Sequence, residues 1–379
     1  MIPFFKHDLN NKKNYLKKTL NNIYLTSGPV CSKVENIIAK RFNKKNCILT
    51  NSWTNAVIAI LKSINIKQQD EIIIPACTFV SCANVVEMLG GKVIFADIEK
   101  DTKLLSIKSV LNKITKKTKA IMPVHLYGNI FNTGQLKKKI NNKNIFIIED
   151  CAHIFSKYQN NKTLGYYSDF AIFSFYATKN VTCGEGGAII TNNNYTDKIR
   201  SISNNGLSKP AFKRFESKKY IPWDVNDVGF KANLSDINAS FLEPQIKKYD
   251  RLLVKRKRIY NTYVKHLSEI KEIFIPKSNS NNRDYHLFPI GVNKIYRNKL
   301  IEHLLERDIF VTVNYRSILN LYYYKKKYKL QVRNCPNSNE WGQETLSLPF
   351  HLKLTLNEVK KIKKEIKIFF TKKIYLTIK

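Results

Sequence analysis

Phe173-Ser174-Phe175-Tyr176-Ala177-Thr178-Lys179-Asn180, followed closely by Gly184-Glu185-Gly186-Gly187, sets one lysine just beyond a hydroxyl at the end of an apolar run. A lysine becomes an amine nucleophile only where its surroundings depress its pKa and fix its direction, so one isolated among apolar and small polar neighbours stands apart from the solvated lysine clusters elsewhere. Alone, the Ser-x-x-x-x-Lys spacing is a weak signal. Its weight comes from the chain around it. Phe170–Phe173 and Ala188–Thr191 read as strands, as do Cys47–Thr50, Glu71–Ile74, Val93–Ala96, Ala120–Val124 and Ile145–Ile148 upstream, with helical patterns such as Asn55–Ile64 and Ser81–Leu89 between them. This alternation predicts an α/β fold whose mostly parallel sheet is covered on both faces. Ligands of such sheets bind beyond the carboxyl ends of the strands, and Ser52, Thr54, Asp150, Ser174 and Lys179 all fall at or just past those ends.

Downstream of Gly229, Ile246, Tyr249, Leu253, Tyr260, Tyr263 and Leu267 recur at helical spacing, with Pro244 expected to start or kink the helix. From about Lys271 the chain reads as a smaller unit. It closes with a helix whose capping box is Thr355 and Glu358, ahead of Val359, Ile362, Ile366 and Phe369.

A chain of 379 residues, 43% hydrophobic, is long enough for two domains with sizeable cores. The start, Met1-Ile2-Pro3-Phe4-Phe5-Lys6-His7-Asp8, lacks the pattern of a signal peptide, and no apolar run is long enough to span a bilayer, so a cytoplasmic protein is expected. Seven scattered cysteines, none in a Cys-x-x-Cys pair, argue for reduced thiols and against a disulfide framework or a zinc site. The formal charge of +36 raises nucleic acid as a partner. The excess is mostly lysine among many Asn and Ile, with no helix-turn-helix, zinc-finger or RNA-binding signature, which fits compositional drift of exposed positions better than a nucleic-acid channel.

Asp150 ends the apolar run Ile145-Phe146-Ile147-Ile148-Glu149-Asp150 and so brings a carboxylate to the lip of a buried strand, where it needs a cationic partner. A pyridinium nitrogen would be one, and a helix cap or a structural ion pair fits the same position. Asn51-Ser52-Trp53-Thr54 joins a strand to a helix, where free N–H groups and the helix dipole suit a phosphate; a plain N-cap at Ser52 or Thr54 also fits. Ser174 offers a second hydroxyl from a separate segment.

Ser52-Trp53-Thr54, Pro75-Ala76-Cys77-Thr78-Phe79, His125-Leu126-Tyr127-Gly128, Glu149-Asp150-Cys151-Ala152-His153, Ser174 through Lys179 and Gly184 through Gly187, in this order, resemble the DegT/DnrJ/EryC1/StrS family of sugar aminotransferases dependent on pyridoxal 5'-phosphate (PLP). Leu25-Thr26-Ser27-Gly28-Pro29 and Leu346-Ser347-Leu348-Pro349 match further landmarks, so the resemblance covers nearly the whole chain. It implies the aspartate aminotransferase-like fold (PLP fold type I). A large cofactor domain with an N-terminal arm and a mostly parallel seven-stranded sheet would span residues 1–250, and a smaller α+β C-terminal domain residues 251–379. It also implies a homodimer with shared active sites.

Carried over, Lys179 would bond the cofactor aldehyde and shuttle the proton, Asp150 would pair with the pyridine nitrogen, His153 would lie near the ring hydroxyl, and Phe79 would stack on the ring. Ser174, Thr54 and the Trp53 backbone would hold the phosphate. Trp53 replaces the family's usual glycine. Lys231 and Asn233 stand where Asn and Arg are common, and Lys231 is either a cross-subunit phosphate ligand or an ordinary surface lysine. Tyr315 and Arg316 align with a loop near the sugar, in which Leu319 replaces a usual histidine. The substrates implied are a nucleotide-linked keto-deoxyhexose and L-glutamate. A cyclitol ketone stays open as acceptor, whereas dehydratase relatives carry histidine where this chain has Lys179.

Overall fold

The computed structural model describes residues 1–9, 13–140, 144–159, 162–208, 222–278, 283–329 and 332–372. The predicted strands form β1 (Asn46–Thr50), β2 (Glu71–Pro75), β3 (Lys92–Ala96), β4 (Thr118–Ile121) and β5 (Phe146–Asp150). A two-residue pair, β6 (Tyr158–Gln159) and β7 (Lys162–Thr163), precedes β8 (Phe170–Ser174) and β9 (Gly187–Thr191). The seven longer strands make one sheet in the order β1-β9-β8-β5-β4-β2-β3. β9 runs antiparallel to both neighbours, and the pairs from β8 across to β3 are parallel. β4 stops at Ile121, short of the expected Val124. Pro123 has no N–H to extend a ladder, although its carbonyl still accepts from Asp150 N–H at 2.9 Å.

Both faces of the sheet are covered, and the pleat divides the side chains between them. Ile48, Ile172 and Ile189 enter one core with the helix Trp53–Ser63, while their neighbours Leu49, Phe173 and Ile190 enter another with the helix Pro29–Arg41. Burying a side chain of this size stabilises the fold by about 1.5–3 kcal/mol.

Beyond the sheet, the helical stretch after Gly229 is divided into Asp236–Ala239, Leu242–Lys247 and Tyr249–Leu267. Pro244 lies in the first turn of the second piece, where its missing N–H breaks no helical bond, and the long helix begins only at Tyr249. β10 (Phe288–Gly291) and β11 (Thr345–Leu348) form an antiparallel pair. The helices Tyr249–Leu267, Lys294–Leu305 and Leu356–Thr371 close a core around Tyr263, Phe288, Leu300, Leu346 and Ile362. The last helix carries the predicted capping box. No helix among the described residues is long and apolar enough to cross a membrane.

The chain passes between these cores more than once. Ile2 belongs to the β10–β11 core and exchanges backbone hydrogen bonds with Asp308 and Phe310 at 2.7 and 3.0 Å. Conversely, Ile318, Tyr324, Cys335 and Trp341 pack into the large-sheet core, where Asp97 at the end of β3 accepts from Ser338 N–H and Oγ–H at 2.8 and 2.7 Å.

One buried carboxylate, at the start of the helix Asp236–Ala239, ties that segment to the N-terminal part of the chain. Asp236 accepts from the N–H groups of Gly28, Val30 and Cys31 at 2.9, 3.0 and 2.9 Å, satisfying the start of the helix Pro29–Arg41. Asp236→Ala strands three donors at once and is expected to cost about 3 kcal/mol or more in denaturant unfolding, against about 1 kcal/mol for the exposed cap Thr355→Ala.

Candidate functional site

The register of three strands builds the first wall. Ser174, last in β8, pairs with Gly187, first in β9, and Gly187 pairs with Thr50, last in β1. A Cβ on Gly187 would lie 2.7 Å from the carbonyl carbon of Ser52, so only glycine lets the turn Ser52-Trp53-Thr54 close against this strand. The Ser174 hydroxyl and the N-terminus of the helix Trp53–Ser63 therefore share one corner, two strand spacings or about 10 Å across. Ser52 is the N-cap, accepting from Asn55 N–H at 3.1 Å. That leaves the N–H groups of Trp53 and Thr54 and the Thr54 hydroxyl as the groups suited to an anion.

The next strand brings the carboxylate. Glu149 and Asp150 point to opposite sides of β5: Glu149 accepts from Gly165 N–H and Ser168 Oγ–H at 2.8 and 3.0 Å, a structural role. Asp150 is buried and accepts from Ala152 N–H at 2.9 Å and from the Cys82 thiol at 3.5 Å. Burial raises its pKa, against the pull of Ala152 N–H, Lys179, Cys82 and Trp53. The indole N–H of Trp53 draws the carboxyl in that direction without reaching a hydrogen bond of ordinary geometry.

Lys179 lies in the turn between β8 and β9, held by its N–H to Tyr176 C=O at 2.9 Å. Part of its stem stays open, yet the amine is enclosed, and burial lowers its pKa to about 8 against the upward pull of Asp150 and Cys82. The thiol of Cys82, pushed well up by burial and by Asp150, stays protonated and donates.

His153 is buried close by. Its Nδ1 accepts from Tyr127 N–H at 3.1 Å, so a neutral ring carries its proton on Nε2, 3.3 Å from the Tyr315 hydroxyl. Burial and then Lys179 hold its pKa far down, so the ring is neutral. Phe79 is 54% exposed, tilted against Tyr315 at a centroid distance of 5.6 Å, at the open side of the group. Lys231 stays outside: exposed, with its amine 3.5 Å from Asn204 Oδ1, while its carbonyl accepts from Asn51 Nδ2–H at 3.3 Å. Leu319 is buried in the core and Arg316 reaches Asn320 C=O at 3.3 Å.

The structure thus gathers Trp53, Thr54, Phe79, Asp150, His153, Ser174 and Lys179 at the carboxyl ends of β1, β2, β5 and β8, with Lys231 at the edge. Sequence reading missed Cys82, one helical turn past Thr78, because nothing local shows that it meets Asp150. It also missed Asn180 and His286, which bond each other across the fold.

Residues 7–367 match the model of the DegT/DnrJ/EryC1/StrS aminotransferase family. The chain belongs to this family. It is accordingly a PLP-dependent aminotransferase. Among curated relatives it is 32% identical to the uncharacterized protein MJ1066 of Methanocaldococcus jannaschii, over 96% of this chain and 98% of that one. It is 30% identical to the spore coat polysaccharide biosynthesis protein SpsC of Bacillus subtilis, over 90% of each. Among solved structures, the PMP form of Spr1654, a candidate sugar aminotransferase of Streptococcus pneumoniae, superposes with a TM-score of 0.89 at 27% identity, over 98% of this chain and 100% of that one. The family fold also covers PseC of Helicobacter pylori, at a TM-score of 0.90 and 23% identity over 98% of this chain and 99% of that one.

The side chains present fit the family's cofactor. An enclosed amine of lowered pKa suits an aldehyde, a buried carboxylate suits a ring cation, and a helix N-terminus beside a serine suits a phosphate. The buried Trp53 Nε1 has no hydrogen-bond partner of ordinary geometry and lies near enough to Asp150 to lower its pKa.

The lowered pKa of Lys179 makes a stability prediction for the protein freed of cofactor. The unfolded chain keeps this proton up to about pH 10.5 and the folded one only to about 8, so unfolding takes up a proton between those values and stability rises with pH across that window. Denaturant unfolding of wild type minus Lys179→Met should show that rise, and equal slopes for the two proteins would refute the buried amine.

Proposed function

We propose that the protein moves an amino group from L-glutamate to the keto carbon of a nucleotide-linked keto-deoxyhexose, in the making of an amino sugar for a polysaccharide. The observation that carries this reading is that adjacent parallel strands β5 and β8 bring the buried Asp150 and the turn bearing Lys179 to the same end of the sheet, beside the N-terminus of the helix Trp53–Ser63, close enough for each to perturb the other's proton affinity. When bound, PLP supplies an aldehyde that takes up amines and a ring that withdraws the electrons left behind when a proton leaves the neighbouring carbon.

This chain's residues do the rest. Asp150 would keep a proton on the ring nitrogen, and Ala152 N–H and the Cys82 thiol favour its ionised form against the upward push of burial. Ser174, Thr54 and the N–H of Trp53 would hold the phosphate. Phe79 would lie against the ring, and His153, neutral, would donate from Nε2 toward the ring hydroxyl or Tyr315. Lys179 accepts and returns the proton at Nζ; with a pKa of about 8, about a tenth of the amine is neutral at pH 7, against roughly 0.03% for an ordinary lysine. Relatives support the sugar side: SpsC is a polysaccharide biosynthesis protein and Spr1654 a candidate sugar aminotransferase. The working form is a cytoplasmic homodimer in which Lys231 reaches the phosphate of the partner's site.

A panel of nucleotide-linked ketosugars and cyclitol ketones, each offered with glutamate and read by product mass, tests the substrate class. Amination of a nucleotide-linked sugar is expected, lost in Lys179→Ala by at least about a thousandfold; turnover of cyclitol ketones alone would overturn the sugar assignment. The shared site has its own test. Mixing inactive Lys231→Ala with inactive Lys179→Ala should regenerate one intact site per heterodimer; a mixture without activity would place Lys231 in its own subunit's site, and an active Lys231→Ala would place it outside both.

A further inference from the structure

The turn that carries Lys179 is held from the far side of the molecule. Val181 is buried and Thr182 N–H donates to Gln245 Oε1 at 3.1 Å, which anchors the end of the turn. Asn180 anchors its middle. Its Nδ2 donates to the carbonyl of Asp284 at 2.9 Å, which fixes the amide orientation, so its Oδ1 must be the acceptor facing His286 Nδ1 at 3.1 Å. His286 therefore carries its proton on Nδ1. Its ring lies 4.4 Å from that of His153, centroid to centroid, and burial, His153 and Lys179 together hold it neutral.

The segment bearing His286 leads into β10 and is itself firmly seated. Asp284 N–H donates to Gly128 C=O at 2.9 Å and His286 N–H to Tyr127 C=O at 3.3 Å. The Asp284 carboxylate accepts from Ser156 N–H and Tyr249 Oη–H, both at 2.8 Å. A Cβ on Gly128 would come within 2.8 Å of Tyr285 N, so the two backbones touch.

We propose that His286 is a positioning residue for Lys179: its Nδ1–H bond to Asn180 clamps the Lys179 turn to the lead-in of β10 and keeps the amine aimed at Asp150. The consequence for catalysis rests on the role given to Lys179 above; the clamp itself does not, and it is read in cofactor-free protein. Competitive acetylation across pH, with the Lys179 peptide quantified by mass spectrometry, reports where the amine titrates among its neighbours Asp150, Cys82, His153 and His286. With the clamp cut, the turn loosens and the amine reaches water.

His286→Leu should raise the midpoint from about 8 toward 10.5, by at least about one pH unit. His286→Asn, whose amide N–H falls near the place of Nδ1–H, should restore most of the shift at an equal melting temperature. An unchanged midpoint in folded His286→Leu overturns the proposal, as does an Asn variant shifted as far as the Leu variant. If His286→Leu does not fold, Asn180→Ala decides in the same way: a raised midpoint supports the clamp and an unchanged one overturns it. Failure of PLP to protect wild-type Lys179 from acetylation would sink the cofactor role instead, and leave the clamp standing.

Discussion

An ammonium and a carboxylate cannot both be enclosed in a protein unless each relieves the other, and the arrangement of Lys179 and Asp150 follows from that constraint. Desolvation drives the lysine toward its neutral form and the aspartate toward its acid form, while their mutual attraction and the donors around Asp150 pull the other way. The balance leaves an amine that gives up its proton near neutrality beside a carboxylate held by a backbone N–H and a thiol. Such a pair is poorly suited to mere stabilisation and well suited to holding a charged ring and moving a proton. The donors also explain why a cysteine is tolerated at the heart of the site: buried against a carboxylate, it stays a thiol and acts as a donor.

The sheet makes this pairing possible through its register. β5 and β8 are adjacent and parallel, so their carboxyl ends deliver Asp150 and Ser174 to the same side, and the turn after β8 returns Lys179 over them. β9 then runs back between β8 and β1, and its first residue, Gly187, is the point where the phosphate-side turn and the lysine hairpin touch. One antiparallel strand in an otherwise parallel set thus brings segments more than a hundred residues apart to one corner. The second half of the chain completes the enclosure by crossing back, with Tyr315 and His286 both reaching His153.

What could be read from the sequence was whatever depends on local periodicity and on residues adjacent in the chain. Seven strands, the Thr355–Glu358 cap and the polar residues at strand ends are of this kind, because pleat alternation, turn chemistry and strand termination act within a few residues. The family pattern is likewise a linear order of motifs. Pro244 shows where this reading weakens: a proline marks the first turn of some helix, but which of three consecutive helices it heads depends on how Phe241, Ile246 and Tyr249 pack.

Only the tertiary structure decided which side chains meet. The thiol of Cys82 against Asp150, the neutral tautomers of His153 and His286, and the path from Asn180 to the β10 lead-in join residues separated by 26 to 162 positions, and no local pattern encodes them. The proton affinity of Lys179 belongs with these, since it is a property of the surrounding low-polarity volume and not of the lysine or its neighbours in the chain. The linear pattern named the groups that carry the chemistry; the folded packing set their charge, direction and partners.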